Sequence, residues 1–329
     1  MTHREGGEAF LPQYPGGLLR CKVMDTMRRK KLALRCHAKI NLGLHVLGSR
    51  ADGYHDLRTI LQTVDLHDTL EVTPAERISL EIVPEWAGGR ACDLPADGSN
   101  LVIRAAESLR EPLDGRGASF RLVKRIPTGS GLGGGSSDAA GALLALNRLY
   151  GLDLAAAGLH RVAASLGSDV PFFLYGGACL ALGRGDEVYP LPDGPGLHLV
   201  VAFADEGLST PEVYKEWDRL LTSADNICRM NNFAPWCLVL RGESPGVAND
   251  LEEAAIRLRP SLKALRRALE APDISAVSMT GSGSTFFGLC VNRAAALRGV
   301  RRVRGAGYAA LATRCLGRTE QFRRLWTAA

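Results

Sequence analysis

No stretch of the chain constrains the fold more than residues 127–138, PTGSGLGGGSSD. Five glycines in twelve residues let successive backbone N–H groups converge on an anion with no Cβ in the way. A strand candidate, Ala118–Lys124, leads into it. Ala139, Leu143, Leu146 and Tyr150 follow at helical spacing, and Gly151 is a stop signal. Ser136 and Ser137 are the expected N-caps of that helix. A strand, a glycine turn and a helix N-terminus together make a phosphate cradle, because the first amides of a helix have no internal acceptor. A flexible linker does not sit between a strand and an amphipathic helix.

Three phosphate-binding patterns compete for this loop. Gly129-x-Gly131-x-x-Gly134 matches the dinucleotide fingerprint, with Asp153 at the distance of the ribose-binding acid. Asp153, however, follows the Gly151 stop directly, with no second strand to carry it. A Walker A loop ends in Gly-Lys-Ser/Thr, and no lysine follows Gly135. A protein-kinase loop needs HRD and DFG elements, which the chain lacks. A lysine-less glycine-serine loop opening a helix remains.

The 329 residues suggest two domains. With 46% hydrophobic and 23% charged residues the composition is globular. Residues 32–47 and 57–73 have strand character around an Asp-Gly turn at Asp52–Gly53. Asn100 or Ser99 caps a helix over about 101–110. Further helices are expected over 154–166, 250–270 (capped by Asn249 or Asp250) and 293–304, with strands at 198–203 and 284–290 and an irregular stretch over 221–246. Strands and helices mix without βα alternation, so the expected class is α+β. The expected divisions are a poorly ordered extension over 1–30, an N-terminal domain over 31–187 and a C-terminal domain over 188–329. Within the extension, Met24 or Met27 is an alternative start, and a transit peptide is a competing reading opposed by Glu5, Glu8 and Asp25.

Composition also narrows the setting. The longest uncharged run, Ile274–Asn292, is ten parts in nineteen Ser, Thr, Gly or Asn, so no membrane span is expected. No apolar segment of the secretory kind follows the first basic residues. The eight cysteines form no CxxC and the seven histidines no metal-binding spacing, so neither disulfides nor a metal centre is expected, and the expected compartment is cytoplasmic. A net charge of +5 suits a polyphosphate ligand. The single dense basic run, Arg28–Lys31, reads as a solvated edge, not a nucleic-acid patch.

Five motifs in order carry a resemblance: AKINLGL (38–44), RADGYH (50–55), the glycine loop, SDVP (168–171) and MTGSGS (279–284). Together they resemble the GHMP kinases, over about residue 31 to the C-terminus. The resemblance implies a two-domain α+β kinase with its active site in the cleft between the domains. The implied reaction moves the γ-phosphate of ATP to a hydroxyl of a small cytidine diphosphate substrate, in the non-mevalonate route to isoprenoid precursors. Another member, such as homoserine kinase, is the alternative within the family. Outside it, the alternative is a basic α+β nucleic-acid-binding module.

The resemblance also implies site roles. Asp169 is the expected base, and Lys39 pairs with it and offsets charge on the hydroxyl. Lys124, Pro127, Gly129, Ser130, Gly131, Leu132, Gly133, Gly134, Gly135, Ser136 and Ser137 are expected around ATP. Asn41, Tyr54, His55, Tyr214, Gly281 and Ser282 are expected around the second substrate, with Tyr54 and Tyr214 as stacking walls for the pyrimidine. Mg²⁺ is expected with ATP, held by Ser136 or by phosphates and water alone, with no protein ligand assigned.

Overall fold

The computed structural model describes residues 31–86, 94–220 and 247–327. The extension expected over 1–30 and the irregular stretch expected over 221–246 lie outside these. Two sheets organise the chain. The first runs β12-β1-β2-β4-β3, from β1 (Leu32–Ser49), β2 (His55–Ala75), β3 (Ser79–Pro84), β4 (Gly117–Lys124) and β12 (Trp326–Thr327). The hairpin of β5 (Ala178–Gly183) and β6 (Glu187–Pro190) extends it from β2, and β8 (Ala248–Asn249) lies parallel to β1. The second sheet is antiparallel, in the order β11-β7-β10-β9: β7 (His198–Phe203), β9 (Ile274–Met279), β10 (Phe286–Cys290) and β11 (Ala309–Arg314). With the helices this is an α+β fold.

β1 shows why the sheets come together. Its even-numbered residues from Leu32 to Val46 are buried and apolar, and they serve three cores in turn. Leu34 and Cys36 pack with α1 (Leu101–Glu107), α3 (Gly134–Tyr150), α4 (Ala156–Leu166) and α5 (Val170–Tyr175). Ala38, Ile40 and Leu42 meet Leu199, Val201 and Phe287 of the second sheet. Leu44 and Val46 join the core of α6 (Thr210–Leu220), α7 (Glu252–Leu258), α8 (Leu262–Leu269) and α9 (Arg293–Gly305). The odd-numbered His37, Lys39, Asn41 and His45 are buried too, although polar. A polar row on a buried strand persists only when each group has a compensating role.

Several expectations change in detail. The Asn100 side chain caps α1 by accepting from Val102 N, but the helix stops at Glu107 and the short α2 (Arg110–Leu113) follows. Leu251 is the N-cap of α7, and Asn249 instead accepts from Leu251 N while holding two carbonyls elsewhere. A division after residue 187 cuts through β6, which still belongs to the first sheet. The last residues also return to that sheet: α10 (Arg318–Leu325) leads into β12, which pairs with β1.

Arg318 anchors this return. Its guanidinium donates to the carbonyls of Tyr175, Gly176, Ala178 and Leu191 at 2.9–3.2 Å. Arg318→Met leaves all four without this donor and is expected to cost roughly 2–3 kcal/mol of stability. Urea unfolding checks it: the midpoint should fall with an unchanged slope.

Candidate active site

The glycine loop joins β4 to α3 as expected, but the helix begins earlier. Gly133 is the N-cap, in the left-handed region at φ 70°, and no side chain caps the helix. Ser136 and Ser137, the expected caps, lie inside the first turn, and Ser137 N donates to Gly133 O at 2.9 Å. The reason is conformational: a glycine with positive φ turns the loop straight into the helix, so no β-region serine cap is needed. The amides of Gly134, Gly135 and Ser136 precede that first helical bond and lack an intrahelical acceptor.

The rest of the loop is fixed from within. Ser130 Oγ donates to Pro127 O at 2.7 Å. Leu132 is fully buried, and its carbonyl accepts from Lys39 N at 2.9 Å. Gly129 is exposed, with open space where a Cβ would stand. Gly131, at φ 74°, passes so close to the Thr280–Gly281 turn that a Cβ there would lie 2.3 Å from Thr280 O. Gly133 runs against Phe173 and the stem of Lys39. The glycine loop, β1 and the 280 turn are thus one assembly.

Lys124 is paired inside the protein. Its ammonium is buried beneath the loop between Asp68 and Asp138, 2.9 Å from the latter. Asp68 also accepts from the amides of Arg125 and Ile126. Burial works against the lysine's charge, but the two carboxylates outweigh it and raise its pKa. Burial pushes the Asp138 carboxyl up, against the pull of Lys124 and with help from Asp68. A Cβ on Gly134 would meet Lys124 Nζ at 2.8 Å, so this ion cluster supports the start of α3 from below.

At the opposite edge, Lys39 Nζ lies 3.4 Å from Asp169 Oδ2 and donates to Asn41 Oδ1 at 2.8 Å. Asp169 directly precedes α5 yet makes no capping bond, and its side chain is 38% exposed. Asn41 is spent internally. Its amide carbonyl accepts from Lys39, Gly281 N (2.8 Å) and Thr280 Oγ1 (3.2 Å), and its Nδ2 donates to Thr59. Asn249 holds the same turn from behind, donating to the carbonyls of Met279 and Gly281. Ser282 Oγ lies 2.7 Å from Thr210 Oγ1.

The aromatic group is built around His55, whose ring stacks on Tyr214 at 4.7 Å and meets Trp217 edge-on. Its Nε2 is 2.9 Å from Asp218. Burial, and after it the charge of Asp169, push the Tyr214 phenol pKa up, which puts this ring within electrostatic reach of the Lys39–Asp169 pair. Tyr54 stands outside the stack, exposed, with the Arg184 guanidinium over its ring. Trp217 and Asp218 sit on α6 and did not stand out in the sequence; Thr280, inside the 279–284 motif, and Asn249, expected only as a helix cap, join the segments together. Their signal is contact between distant segments, which no spacing rule reports.

Models of known families match the chain twice: the GHMP kinases N terminal domain over residues 100–177 and the GHMP kinases C terminal domain over residues 238–309. A 4-diphosphocytidyl-2-C-methyl-D-erythritol kinase of Solibacter usitatus is 41% identical over 283 residues, covering 84% of this chain and 86% of that protein. The chain belongs to the GHMP kinases, in the branch of the 4-diphosphocytidyl-2-C-methyl-D-erythritol kinases. A crystal structure of 4-(cytidine 5'-diphospho)-2C-methyl-D-erythritol kinase is similar at 38% identity and TM-score 0.71, over 87% of this chain and 99% of that one. Homoserine kinase from Cytophaga hutchinsonii, at 17% identity and TM-score 0.69 over 89% and 97%, shares the fold. The chain is therefore an ATP-dependent kinase of small molecules.

Gly131→Ala tests the seam between loop and turn. The added methyl both disfavours the positive φ and collides with Thr280 O. A shift of about 1 Å at the loop is expected to lower kcat/KM on the order of 10²-fold. Circular dichroism should show the fold intact, and steady-state kinetics should show the loss.

Proposed function

We propose that this kinase phosphorylates the 2-hydroxyl of 4-(cytidine 5'-diphospho)-2-C-methyl-D-erythritol, using ATP. The observation that carries the reading is the Lys39–Asp169 pair, with Gly133 of the phosphate loop packed on the stem of that lysine. A phosphate tail along Gly129–Ser136 meets unpaired amides and the positive end of α3. Asp169, paired on one side and open on the other, orients the attacking hydroxyl and takes its proton. Lys39 balances the charge that develops on that oxygen.

Lys124, expected near ATP, acts in this reading by holding up the loop, and Asn41 acts by aiming Lys39 and Gly281. Tyr54 offers an exposed ring for the pyrimidine, and His55 and Tyr214 form the firm wall beside it. Mg²⁺ accompanies the nucleotide and neutralises its phosphate charge. The half-buried Ser136 at the helix start suits one of its oxygen contacts, and phosphates and water supply the others. The four described cysteines, Cys36, Cys179, Cys290 and Cys315, are buried and free, which suits the reducing cytoplasm.

A substrate panel tests the reading. With ATP, turnover is expected with the cytidine diphosphate polyol and not with homoserine or mevalonate. Tyr54→Ala should raise KM for the cytidyl substrate while leaving that for ATP in place. One stacking face is worth about 1–3 kcal/mol, roughly fivefold to over a hundredfold in KM. Turnover of homoserine, or an equal rise in both KM values, contradicts it.

A further inference from the structure

The polar row of β1 begins with a residue the kinase reaction leaves unused. His37 is buried, and neither of its ring nitrogens has a hydrogen-bond partner among the described residues. A buried imidazole without a partner loses its hydration and gets nothing back. Its cross-strand partner on β2 is a second histidine, His67, with ring centroids 5.3 Å apart. Next to this pair the ladder is irregular: Ala38 pairs with Val64, and His37 already pairs with His67. Asp65 and Leu66 are therefore extra on β2, and this bulge sets a carboxylate beside the two imidazoles. Asp65 Oδ1 is 4.0 Å from His37 Nε2, and one ligand atom from each of the three residues lies within 4.8 Å of the others.

We propose that His37, His67 and Asp65 bind a divalent transition-metal ion of the zinc type, tying the β1–β2 bulge to the C-terminal helix. Two imidazoles and one carboxylate make a zinc donor set with a position left for water. Bonds of about 2.0–2.1 Å need donors roughly 3.3 Å apart, so the three must close by up to about 1.5 Å. Asp65 and His67 are only half-buried and have room to turn. The other carboxylate oxygen of Asp65 is engaged by Arg324 of α10 at 3.0 Å, with Arg314 at 3.8 Å. This is the outer-shell arrangement that aims a ligating carboxylate and leaves Oδ1 for the metal. The arginines also drain charge from the site. That disfavours Mg²⁺ and Ca²⁺, which rely on several anionic oxygens, more than it disfavours an ion that binds imidazole. No sequence pattern points to the group, because His37 and His67 lie in different strands, far outside any local ligand spacing.

The test uses the untagged full-length chain and ZnCl₂. After equilibration and dialysis, elemental analysis should find about one zinc per chain more in the wild type than in His67→Ala. Zinc should raise the melting temperature of the wild type only, and MgCl₂ should not substitute for it. Co²⁺ should give the visible bands of a four-coordinate site with histidine ligands, lost in His67→Ala. Loss of this ligand should weaken zinc binding by more than the roughly 10–100-fold typical of an outer-shell partner. If His67→Ala does not fold, Asp65→Asn serves as the comparison with the same expectations. Equal zinc content and an equal thermal shift in wild type and variant overturn the proposal.

Discussion

The side-chain carbonyl of Asn41 accepts from Lys39 Nζ, Thr280 Oγ1 and Gly281 N, and the geometry of the site depends on that one oxygen. Through it β1 of the first sheet grips a turn that connects β9 and β10 of the second. The same turn presses on Gly131, and Leu132 bonds back to Lys39 N. Three segments far apart in sequence are thereby closed into a ring around the lysine. Bonds to a charged donor in a buried setting are worth about 1.5–3 kcal/mol each, and leaving one unmade costs as much. The clasp therefore holds its members in one arrangement, as phosphoryl transfer, which relies on positioning, demands.

A second constraint lies under the loop. Two carboxylates and one ammonium are buried together at the junction of β2, β4 and α3. Such clusters add little net stability, because desolvation offsets the Coulombic gain, but breaking one is severe. Its use here is geometric. Asp68 binds the backbone where β4 ends, and Lys124 bridges from there to Asp138 in the first turns of α3. The glycine loop spans the same two points above, so its ends are fixed from below while its middle is held by Ser130, Leu132 and the 280 turn.

Much of this was legible from local pattern. The alternation in residues 32–47 gave β1, and the glycine cluster before a helical repeat located the loop between β4 and α3. What escaped was of two kinds. Where a glycine's positive φ did the work expected of a side chain, as at Gly133, propensity pointed to Ser136 and Ser137 instead. Where the determinant was a meeting of distant strands, no local rule applied. The Asn41–Gly281 bond, the return of β12 to β1, and the His37–Asp65–His67 group all arise that way. Lys124 shows the limit of placement without packing: its position at a strand end near the loop was right, but two carboxylates claim its charge. Strand β9 lay hidden in a run of small polar residues, and α6 gave no cap or periodicity that stood out from its surroundings.

The central claim is that Lys39 and Asp169 act as one unit on the attacking hydroxyl. Single-turnover phosphoryl transfer in Lys39→Met, Asp169→Asn and the double variant measures this most directly. Asparagine keeps the shape of the carboxylate but cannot take a proton, and a positioned base is usually worth about 10²–10⁴-fold. The expected result is a loss of that order in Asp169→Asn with both ligands still bound, a severe loss in Lys39→Met, and a double variant little worse than the poorer single one. Near-normal transfer in Asp169→Asn, or losses that multiply in the double variant, would contradict it.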